Sequence, residues 1–301
     1  MKPRMPGKVP ILDPLQFDDY LFQNWKPVVS GFYERFHIAR IESYKNHMKI
    51  PLPPHRRSVC FFIYLTNGMA IRSKGLTQFE IRKNHFFFLP ANQITSLEYF
   101  SEGIQGYYCH FQPEILNQTN IKIDPGAEFP FFRLLGNPLV EVKETENVLS
   151  LLNILEKEYK KNIDDHFELI PVYLTALLME ARKYVTPQKK QSKNAASYIT
   201  QRYLNALSEF VYEYKTVAEF ADHLSVSSNH LHKCVKTTTG KSAHYLLGEM
   251  RILEAKVLLK QTSLSVGEIA FKVGRFSASD FCRFFKSRTQ MTPLEYRNLE
   301  I

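Results

Sequence analysis

The sequence predicts an α+β protein of two domains, in which an antiparallel β domain precedes an all-helical one. Residues 30–116 are rich in aromatic and β-branched residues and are broken by turn signals such as Thr66-Asn67-Gly68. This pattern is typical of short strands in a barrel or sandwich. From residue 145 the apolar residues recur with helical spacing, and from residue 196 to the end the pattern is helical throughout.

Charge and composition narrow the possible partners. The formal net charge of +9 favours an anionic partner, with nucleic acid first and a membrane surface second. The longest clearly apolar stretch, residues 58–65, is too short to span a bilayer, and the N-terminal prolines do not suit a signal peptide. We therefore expect a cytoplasmic protein with no membrane partner.

The four cysteines, residues 60, 109, 234 and 282, stand far apart, and the sequence has no metal-binding spacing of cysteine and histidine. We expect reduced thiols that are mostly buried. We expect no metal and no cofactor.

The changes of pattern also predict the domain boundaries. We place a β domain at 1–143, a helical region at 144–185, a polar and basic linker at 186–195 and an all-helical domain at 196–301. The helical region should hold two helices with a break near Asn162. In the first of them Leu152, Leu155 and Tyr159 fit either a self-complementary stripe for dimerisation or packing within one chain.

Two copies of one pattern lie in the helical domain. In each copy a hydroxyl residue stands three positions before a glutamate, as Thr216 does before Glu219 and Ser265 before Glu268. This is a capping box, in which the two side chains satisfy otherwise unpaired N–H groups where a helix begins. Both first helices should therefore begin at a defined residue.

A small residue and a turn follow in both copies. Ala221 and Ala270 allow a second helix to cross closely, and we expect turns at Ser225 and Gly274, the glycine being suited to a left-handed backbone. A serine-rich second helix with basic residues on its exposed side comes next. The copies are thus two helix-turn-helix units, which we place at residues 216–238 and 265–288. The alternative is a helical bundle with a solvated basic face.

Residues 242–261 predict a connecting helix about 30 Å long. Its apolar residues fall on two faces, Tyr245, Ile252, Ala255 and Leu259 on one and Leu246, Met250, Leu253 and Val257 on the other. Such a rod can pack against both units at once. It would hold the two second helices about 34 Å apart, so that both enter one face of the DNA major groove.

Roughly the last 100 residues resemble the AraC/XylS family of transcriptional regulators. The match is carried by Gly240-Lys241-Ser242, Arg251, Ala255, Leu259, Ile269-Ala270, Val273-Gly274, Phe281, Arg283, Phe285-Lys286, Thr292-Pro293 and Tyr296-Arg297. The sequence departs from the family at Arg275, where an aromatic residue is usual, at Gln290, which replaces a glycine, and at Val235, which replaces a phenylalanine.

The resemblance implies which side chains meet DNA. The base-contacting candidates are Asn229, His232 and Lys233 in the first unit and Ser277, Ala278, Ser279 and Arg283 in the second. Arg283 is the strongest of them, because a guanidinium can donate two hydrogen bonds to a guanine edge. Its alternative role is a surface ion pair. The phosphate-contacting candidates are Lys236, Lys241, Lys286 and Arg288.

The β domain resembles the cupin-type sensor barrel that many members of this family carry, on the evidence of His55 and residues 84–93. The resemblance implies a small organic effector, for which the candidate residues are His55, Phe62, Tyr64, Phe86, Phe88, Tyr108 and His110. For each aromatic residue the alternative is plain core packing.

These observations predict a sequence-specific DNA-binding transcription regulator, with activation as the commoner behaviour of the proteins it resembles. Its partners would be double-stranded DNA, a second copy of the chain, RNA polymerase and a small effector. The alternative is a cupin-like enzyme with an auxiliary helical domain. The sequence lacks a cluster of metal ligands, a Gly-rich phosphate loop and a G-x-S-x-G or H-E-x-x-H motif, so we predict no catalytic residues.

Overall fold

The computed structural model describes residues 11–22, 32–118, 123–133, 136–161, 167–185 and 195–299. They form two compact units, an N-terminal unit of residues 11–185 and a C-terminal unit of residues 195–299. The predicted α+β class is confirmed, since the first unit contains antiparallel sheets and the second is helical. The break predicted near Asn162 and residues 186–194 of the predicted linker lie outside the described residues, and Ala195 already belongs to a helix.

The strands of the N-terminal unit form two antiparallel sheets. One sheet has the order β1-β8-β3-β6-β9 and the other the order β2-β7-β4-β5. The strands are β1 (Phe36–Arg40), β2 (Leu52–His55), β3 (Cys60–Asn67), β4 (Met69–Lys74), β5 (Thr77–Arg82), β6 (His85–Leu89), β7 (Thr95–Phe100), β8 (Gln105–Phe111) and β9 (Leu139–Glu141). The helices are α1 (Pro14–Leu21), α2 (Ile41–Tyr44), α3 (Pro125–Glu128), α4 (Glu146–Lys161) and α5 (Leu169–Arg182).

The central strand β3 is apolar on both faces because both of its faces are covered. Successive side chains of a strand point to opposite faces. Phe62 and Tyr64 accordingly belong to a core shared with α4 and α5, whereas Phe61 and Ile63 belong to a second core on the other face of the sheet. One face of β3 therefore packs against the helices, and the other face packs in a separate core.

Four of the aromatic residues predicted to bind an effector lie on the helix-covered face. Phe62, Tyr64, Phe86 and Phe88 are buried in the core that contains Leu152 and other residues of α4 and α5. Core packing, the alternative for each of them, is what the structure shows. Helices cover that face of the sheet, and these four side chains fill the core beneath them.

The predicted dimerisation stripe is buried in the same core. Leu152 and Leu155 are 0% exposed and Tyr159 is 7% exposed, and the Tyr159 hydroxyl lies 2.8 Å from His37 Nδ1. Side chains that fill the interior of their own chain cannot contact a second copy. The intramolecular alternative is therefore correct for these three residues.

The C-terminal unit is built around one long helix. Its helices are α6 (Ala195–Phe210), α7 (Val217–His223), α8 (Ser228–Thr239), α9 (Ala243–Gln261), α10 (Val266–Gly274), α11 (Ala278–Thr289) and α12 (Pro293–Asn298). Helix α9 contacts α6, α7 and α8 as well as α10 and α12. Its residues Ile252, Ala255, Leu258 and Leu259 share a core with α10 and α11.

Most of the predicted apolar positions of α9 are buried, and Tyr245 is the exception. Its side chain is 36% exposed and lies under two cations, with Arg288 Cζ 4.6 Å and Lys241 Nζ 5.0 Å from the ring centroid. Tyr245 therefore supports basic side chains at the surface rather than packing in the core.

Both predicted capping boxes are present. The Glu219 N–H donates to Thr216 Oγ1 at 3.2 Å, and the Thr216 N–H donates to Glu219 Oε2 at 2.6 Å. The corresponding distances between Ser265 and Glu268 are 3.2 Å and 2.7 Å. The two units therefore begin with the same local chemistry.

The turns differ from the prediction by one residue in the second unit. The left-handed residues are Ser225, with φ of 58°, and Arg275, with φ of 55°, so the second turn is not centred on Gly274. The glycine is needed for a different reason. A Cβ at Gly274 would lie 2.4 Å from a ring carbon of Phe276, which folds back over the end of α10.

We predict that Gly274→Ala destabilises the C-terminal unit by ~1–3 kcal/mol, because the added methyl group must displace the Phe276 ring. Gly267→Ala in the same helix is the matched control, since a Cβ there meets nothing within 4 Å. That change should be neutral or stabilise by ~0.5 kcal/mol through helix propensity. Urea unfolding of both variants measures the difference, and equal effects would contradict this account of Gly274.

Candidate nucleic-acid interface and buried cavity

Helix α8 separates an apolar inner side from a basic outer side. Ser227 caps it by accepting the His230 N–H at 3.2 Å, and Leu231 and Val235 are buried. Its sequence contains two lysines and no acidic residue, so its formal charge is +2. The predicted contacts Asn229, Lys233 and Lys236 are all exposed on this helix.

His232 is less accessible than its neighbours. It is half-buried, and its ring centroid lies 4.9 Å from that of His244 at the start of α9. Burial, followed by the nearby His232 ring, lowers the pKa of His244. Since two charged imidazoles this close would repel, the pair favours at least one neutral ring.

Helix α11 has the same division into two sides. Ser277 caps it by accepting the Asp280 N–H at 3.1 Å, and Phe281 and Phe285 are buried. Three basic residues and one acidic residue give the helix a formal charge of +2. The predicted contacts Ser277, Ala278, Ser279, Arg283 and Lys286 are all exposed.

Arg283 makes the ion pair that was its alternative role. Its Nη2 donates to Asp280 Oδ1 at 2.6 Å, and the arginine side chain is 78% exposed. The Ser277 hydroxyl and, after it, Arg283 hold the pKa of Asp280 below its usual range. Exposed ion pairs contribute little to stability, so this contact leaves the guanidinium able to exchange Asp280 for another acceptor.

Arg288 is held more firmly than the other predicted phosphate contacts. Its Nη1 donates to Glu249 on α9, and the guanidinium lies over the rings of Tyr245 and Phe284. These contacts join the end of α11 to α9. The structure thus gives Arg288 a positioning role between two helices, which the sequence pattern did not indicate.

The two basic helices and their matched supports define a double helix-turn-helix protein, and comparison with known proteins agrees. Residues 220–299 match the family described as "Helix-turn-helix domain". The HTH-type transcriptional activator RhaR of Enterobacter sp. is 24% identical over 255 residues, covering 81% of this chain and 86% of that protein. The xylose operon regulatory protein of Haemophilus influenzae is 37% identical over 81 residues, 27% of this chain and 21% of that protein.

Solved structures resemble the chain with low TM-scores. ToxT from Vibrio cholerae O395 covers 87% of this chain and 96% of its own length, with 15% identity and a TM-score of 0.43. A Chromobacterium violaceum regulator with an AraC-type DNA-binding domain covers 35% of this chain and 94% of its own, with 27% identity and a TM-score of 0.31. The C-terminal unit is a helix-turn-helix domain of the AraC type, and the chain is a DNA-binding transcription regulator.

A cavity of about 50 Å³ lies in the N-terminal unit on the face of β3 opposite the helices α4 and α5. Of the seven predicted effector residues, Tyr108 alone is among the cavity's described lining residues. His55 and His110 are fully buried close by. Most of the lining residues were not predicted from the sequence. They include Phe17, Asp18, Leu21, Phe22, Tyr33, His37, Ile41, Tyr44, Leu52, Arg72 and Phe100.

A hydrogen-bond network fixes the polar side of the cavity. His110 Nε2 lies 2.8 Å from the Tyr33 carbonyl oxygen, which can only accept, so Nε2 carries the proton. His110 Nδ1 then accepts from the Tyr108 hydroxyl at 3.0 Å and from Arg57 Nη2 at 3.3 Å. The Tyr33 hydroxyl in turn donates to Asp18.

Burial sets the protonation of these groups. It lowers the pKa of His37 to about 3 and that of His110 well below its usual value, so both rings are neutral. It raises the pKa of Asp18 to about 6, against the opposing effects of the Tyr33 hydrogen bond and of Arg57. Within the described residues no cluster of three or more His, Cys, Asp or Glu side chains is arranged to hold a metal ion.

The helices of the described residues include none that is long and apolar enough to cross a membrane.

Proposed function

We propose that the chain is a transcription activator that reads two successive major grooves with α8 and α11 and senses a small effector in its N-terminal unit. The sensor would occupy residues 1–143, the helical region 144–185 and the DNA-binding domain 196–301. Activation is supported by the description of RhaR as an activator and requires contact with RNA polymerase. Because its target is chromosomal DNA, we place the protein in the bacterial cytoplasm.

One observation carries this proposal, namely that a single buried helix supports both helix-turn-helix units. Helix α9 has 19 residues, hence a length of about 28 Å at 1.5 Å per residue. This length is close to the ~34 Å that separate major grooves on one face of DNA. Both second helices carry a formal charge of +2 and exposed polar residues at their starts.

The residue roles follow from exposure and chemistry. We propose that Asn229, Lys233, Ser277, Ser279 and Arg283 meet base edges, with His232 and Ala278 at the margins of the contact. Lys236, Lys241 and Lys286 would meet phosphates, whose contacts add affinity without sequence information. An enzyme is disfavoured because the polar lining of the cavity consists of Asp18, His37, Arg72 and three tyrosines, and the described residues hold no converging cluster of metal ligands.

Selection of DNA by the full-length chain tests the proposal. Incubation with randomised oligonucleotides should enrich a site with two half-sites spaced by about one helical turn, 10–10.5 base pairs. Enrichment of no sequence, or of a single half-site, would contradict it.

We predict that Arg283→Ala weakens binding to the selected site by ~1–3 kcal/mol and relaxes base preference at one position. The loss should be specific because Arg283 contributes only an exposed ion pair to the fold. Fluorescence anisotropy with site variants measures it, and Arg202→Ala on α6 is the control. Unchanged preference at every position would exclude Arg283 from base recognition.

We predict that Lys286→Ala weakens binding to all sequences alike and reduces the slope of log affinity against log salt by about one, because one phosphate contact is lost. Lys286→Arg, which keeps the charge, should retain the slope. Salt titrations of both variants on specific and random DNA provide the measurement. A loss confined to the specific site would assign Lys286 to base recognition instead.

A homodimer would use a face other than the one predicted. Helix α5 exposes Leu169, Val172 and Met179, which are 41%, 50% and 37% exposed, with the exposed Ala176 between them. Spacings of three, four and three residues place all four on one stripe. Because a twofold interface joins the same patch of both copies, we propose this stripe as the dimer contact.

We predict that Val172→Glu shifts the chain from dimer to monomer, because two buried glutamates would face each other across a twofold axis. The control is Lys157→Glu, at an exposed position on α4 outside the stripe. Sedimentation equilibrium over a range of concentrations measures the association constant. If Val172→Glu associates as strongly as the parent chain, the stripe is not the interface.

A further inference from the structure

We propose that the cavity of the N-terminal unit binds a short-chain carboxylate, whose anionic group is held by the guanidinium groups of Arg72 and Arg57. This inference rests on the proposed effector sensing and names the chemical class of the effector. Binding of the carboxylate can be measured without DNA.

Two arginines are buried close to one another. Arg57 is 2% exposed and Arg72 is 3% exposed. Both guanidiniums lie near the Phe61 ring, at 5.2 Å and 4.6 Å from its centroid. Arginine remains protonated in proteins and is almost never fully buried without a partner of opposite charge. Two such groups near one ring indicate that an anion completes the site.

These arginines present several N–H groups, some of which are paired and some of which are not. Arg72 Nε donates to Thr95 Oγ1 at 3.1 Å, and Arg57 Nη2 interacts with His110. Arg72 Nη2 and Arg57 Nε and Nη1 are buried and have no acceptor within the described part of the chain. A carboxylate has two oxygens that accept several hydrogen bonds, and arginine recognises it with a matching planar fork.

The charged side chains at and just behind the cavity wall are more positive than negative. Arg72 belongs to the described lining, and Arg57 lies behind it, with its Cζ 3.7 Å and 5.4 Å from the ring centroids of the lining residues Phe17 and Tyr108. The two arginines carry two positive charges, and Asp18 of the lining carries one negative charge above its pKa of about 6. Burial keeps His37, His55 and His110 neutral by lowering the pKa of each. Arg57, Arg72 and Asp18 together therefore carry a net positive charge at neutral pH. A monoanion balances this charge, whereas a neutral sugar or an amine does not.

The remaining lining determines the rest of the ligand. Leu21, Phe22, Ile41, Leu52 and Phe100 surround the cavity with apolar surface, which suits a hydrocarbon chain and does not suit inorganic phosphate. The volume is about 50 Å³. Since roughly 10–15 Å³ of such space holds one water, the cavity accommodates a chain of about four carbons.

Groups next to Arg72 also favour the binding of an anion. Burial and the like charge of Arg57 lower the pKa of Arg72 to about 9, so the guanidinium carries an energetic cost that an anion would remove. His55 Nδ1 lies 2.8 Å from the Pro53 carbonyl oxygen and therefore carries the ring proton. Its buried Nε2 is then an acceptor, and it has no partner among the described residues.

Calorimetric titration of the full-length chain tests the inference, with sodium butanoate as the probe and butanamide as its neutral isostere. We expect saturable binding of butanoate at one site per chain and binding of butanamide weaker by roughly tenfold or more, as for loss of a charge-assisted pair. Equal affinity for the two compounds would overturn the inference. So would the absence of butanoate binding.

Two variants identify the residue responsible. Arg72→Gln should weaken butanoate binding by roughly tenfold or more and should fold, because it removes a buried charge that lacks a full counter-charge. Arg82→Gln, at an exposed position on β5, is the matched control and should bind as the parent does. Butanoate should raise the melting temperature of the parent and the control but not of Arg72→Gln. Retained affinity in Arg72→Gln would remove this residue from the site and overturn the assignment.

DNA selection with the same preparations separates this inference from the proposed function. A chain that selects DNA and does not bind butanoate refutes only the carboxylate assignment. A chain that binds butanoate and selects no DNA refutes only the regulator proposal.

Discussion

The C-terminal unit depends on the burial of α9 along two of its sides. Ile252, Ala255, Leu258 and Leu259 hold the second helix-turn-helix, and each large aliphatic side chain buried this way contributes on the order of 1.5–3 kcal/mol. At the other end the Tyr203 hydroxyl of α6 donates to the Ala243 carbonyl at 2.8 Å. A helix anchored by both units transmits a fixed spacing between them, which neither unit could maintain alone.

A polar interaction fixes the rotation of this helix. Glu254 is fully buried in α9, and its Oε2 accepts a hydrogen bond from the Tyr212 hydroxyl at 2.6 Å. Arg251, one turn away, donates to the Lys215 carbonyl just before the first capping box. Because buried polar groups are costly unless paired, these contacts allow one orientation of α9 between its neighbours. The orientation of α8 and α11 follows from it.

Local chemistry explains which features could be predicted from sequence. The capping boxes at Thr216 and Ser265 depend on residues three apart, so the pattern alone determines them. The left-handed position in the second turn was misplaced because it depends on where α10 ends, which the packing of Phe276 over Gly274 decides. Similarly, periodicity identifies the residues that share a face of α4 or β3 but not what covers that face. Hence core packing was one of two alternatives for Leu155 and for Phe62, and the structure shows core packing for both.

The burial of Arg72 also could not be predicted from the sequence alone. Arginine in a strand usually indicates solvent, but Arg72 alternates in β4 with Ala70 and Lys74, and all three are buried whereas the intervening residues are half-buried. The inward register of a basic residue beside alanine is a sequence signal for a buried cation. It could be interpreted only once the strand's pairing was known, because a shift of one residue would place Arg72 outside.

The two helix-turn-helix units share their supports and differ in what they present. On α8 the exposed side carries lysines and Asn229 without an acidic residue, whereas on α11 the guanidinium of Arg283 is oriented by Asp280. An amide suits the hydrogen-bonding edge of adenine, and a guanidinium suits that of guanine. Under the proposed function, similar scaffolds with different exposed groups favour two unlike half-sites in the same direction, since the units are joined in tandem by α9. We therefore infer that one chain recognises an asymmetric sequence, and that a twofold operator would reflect pairing of chains through α5.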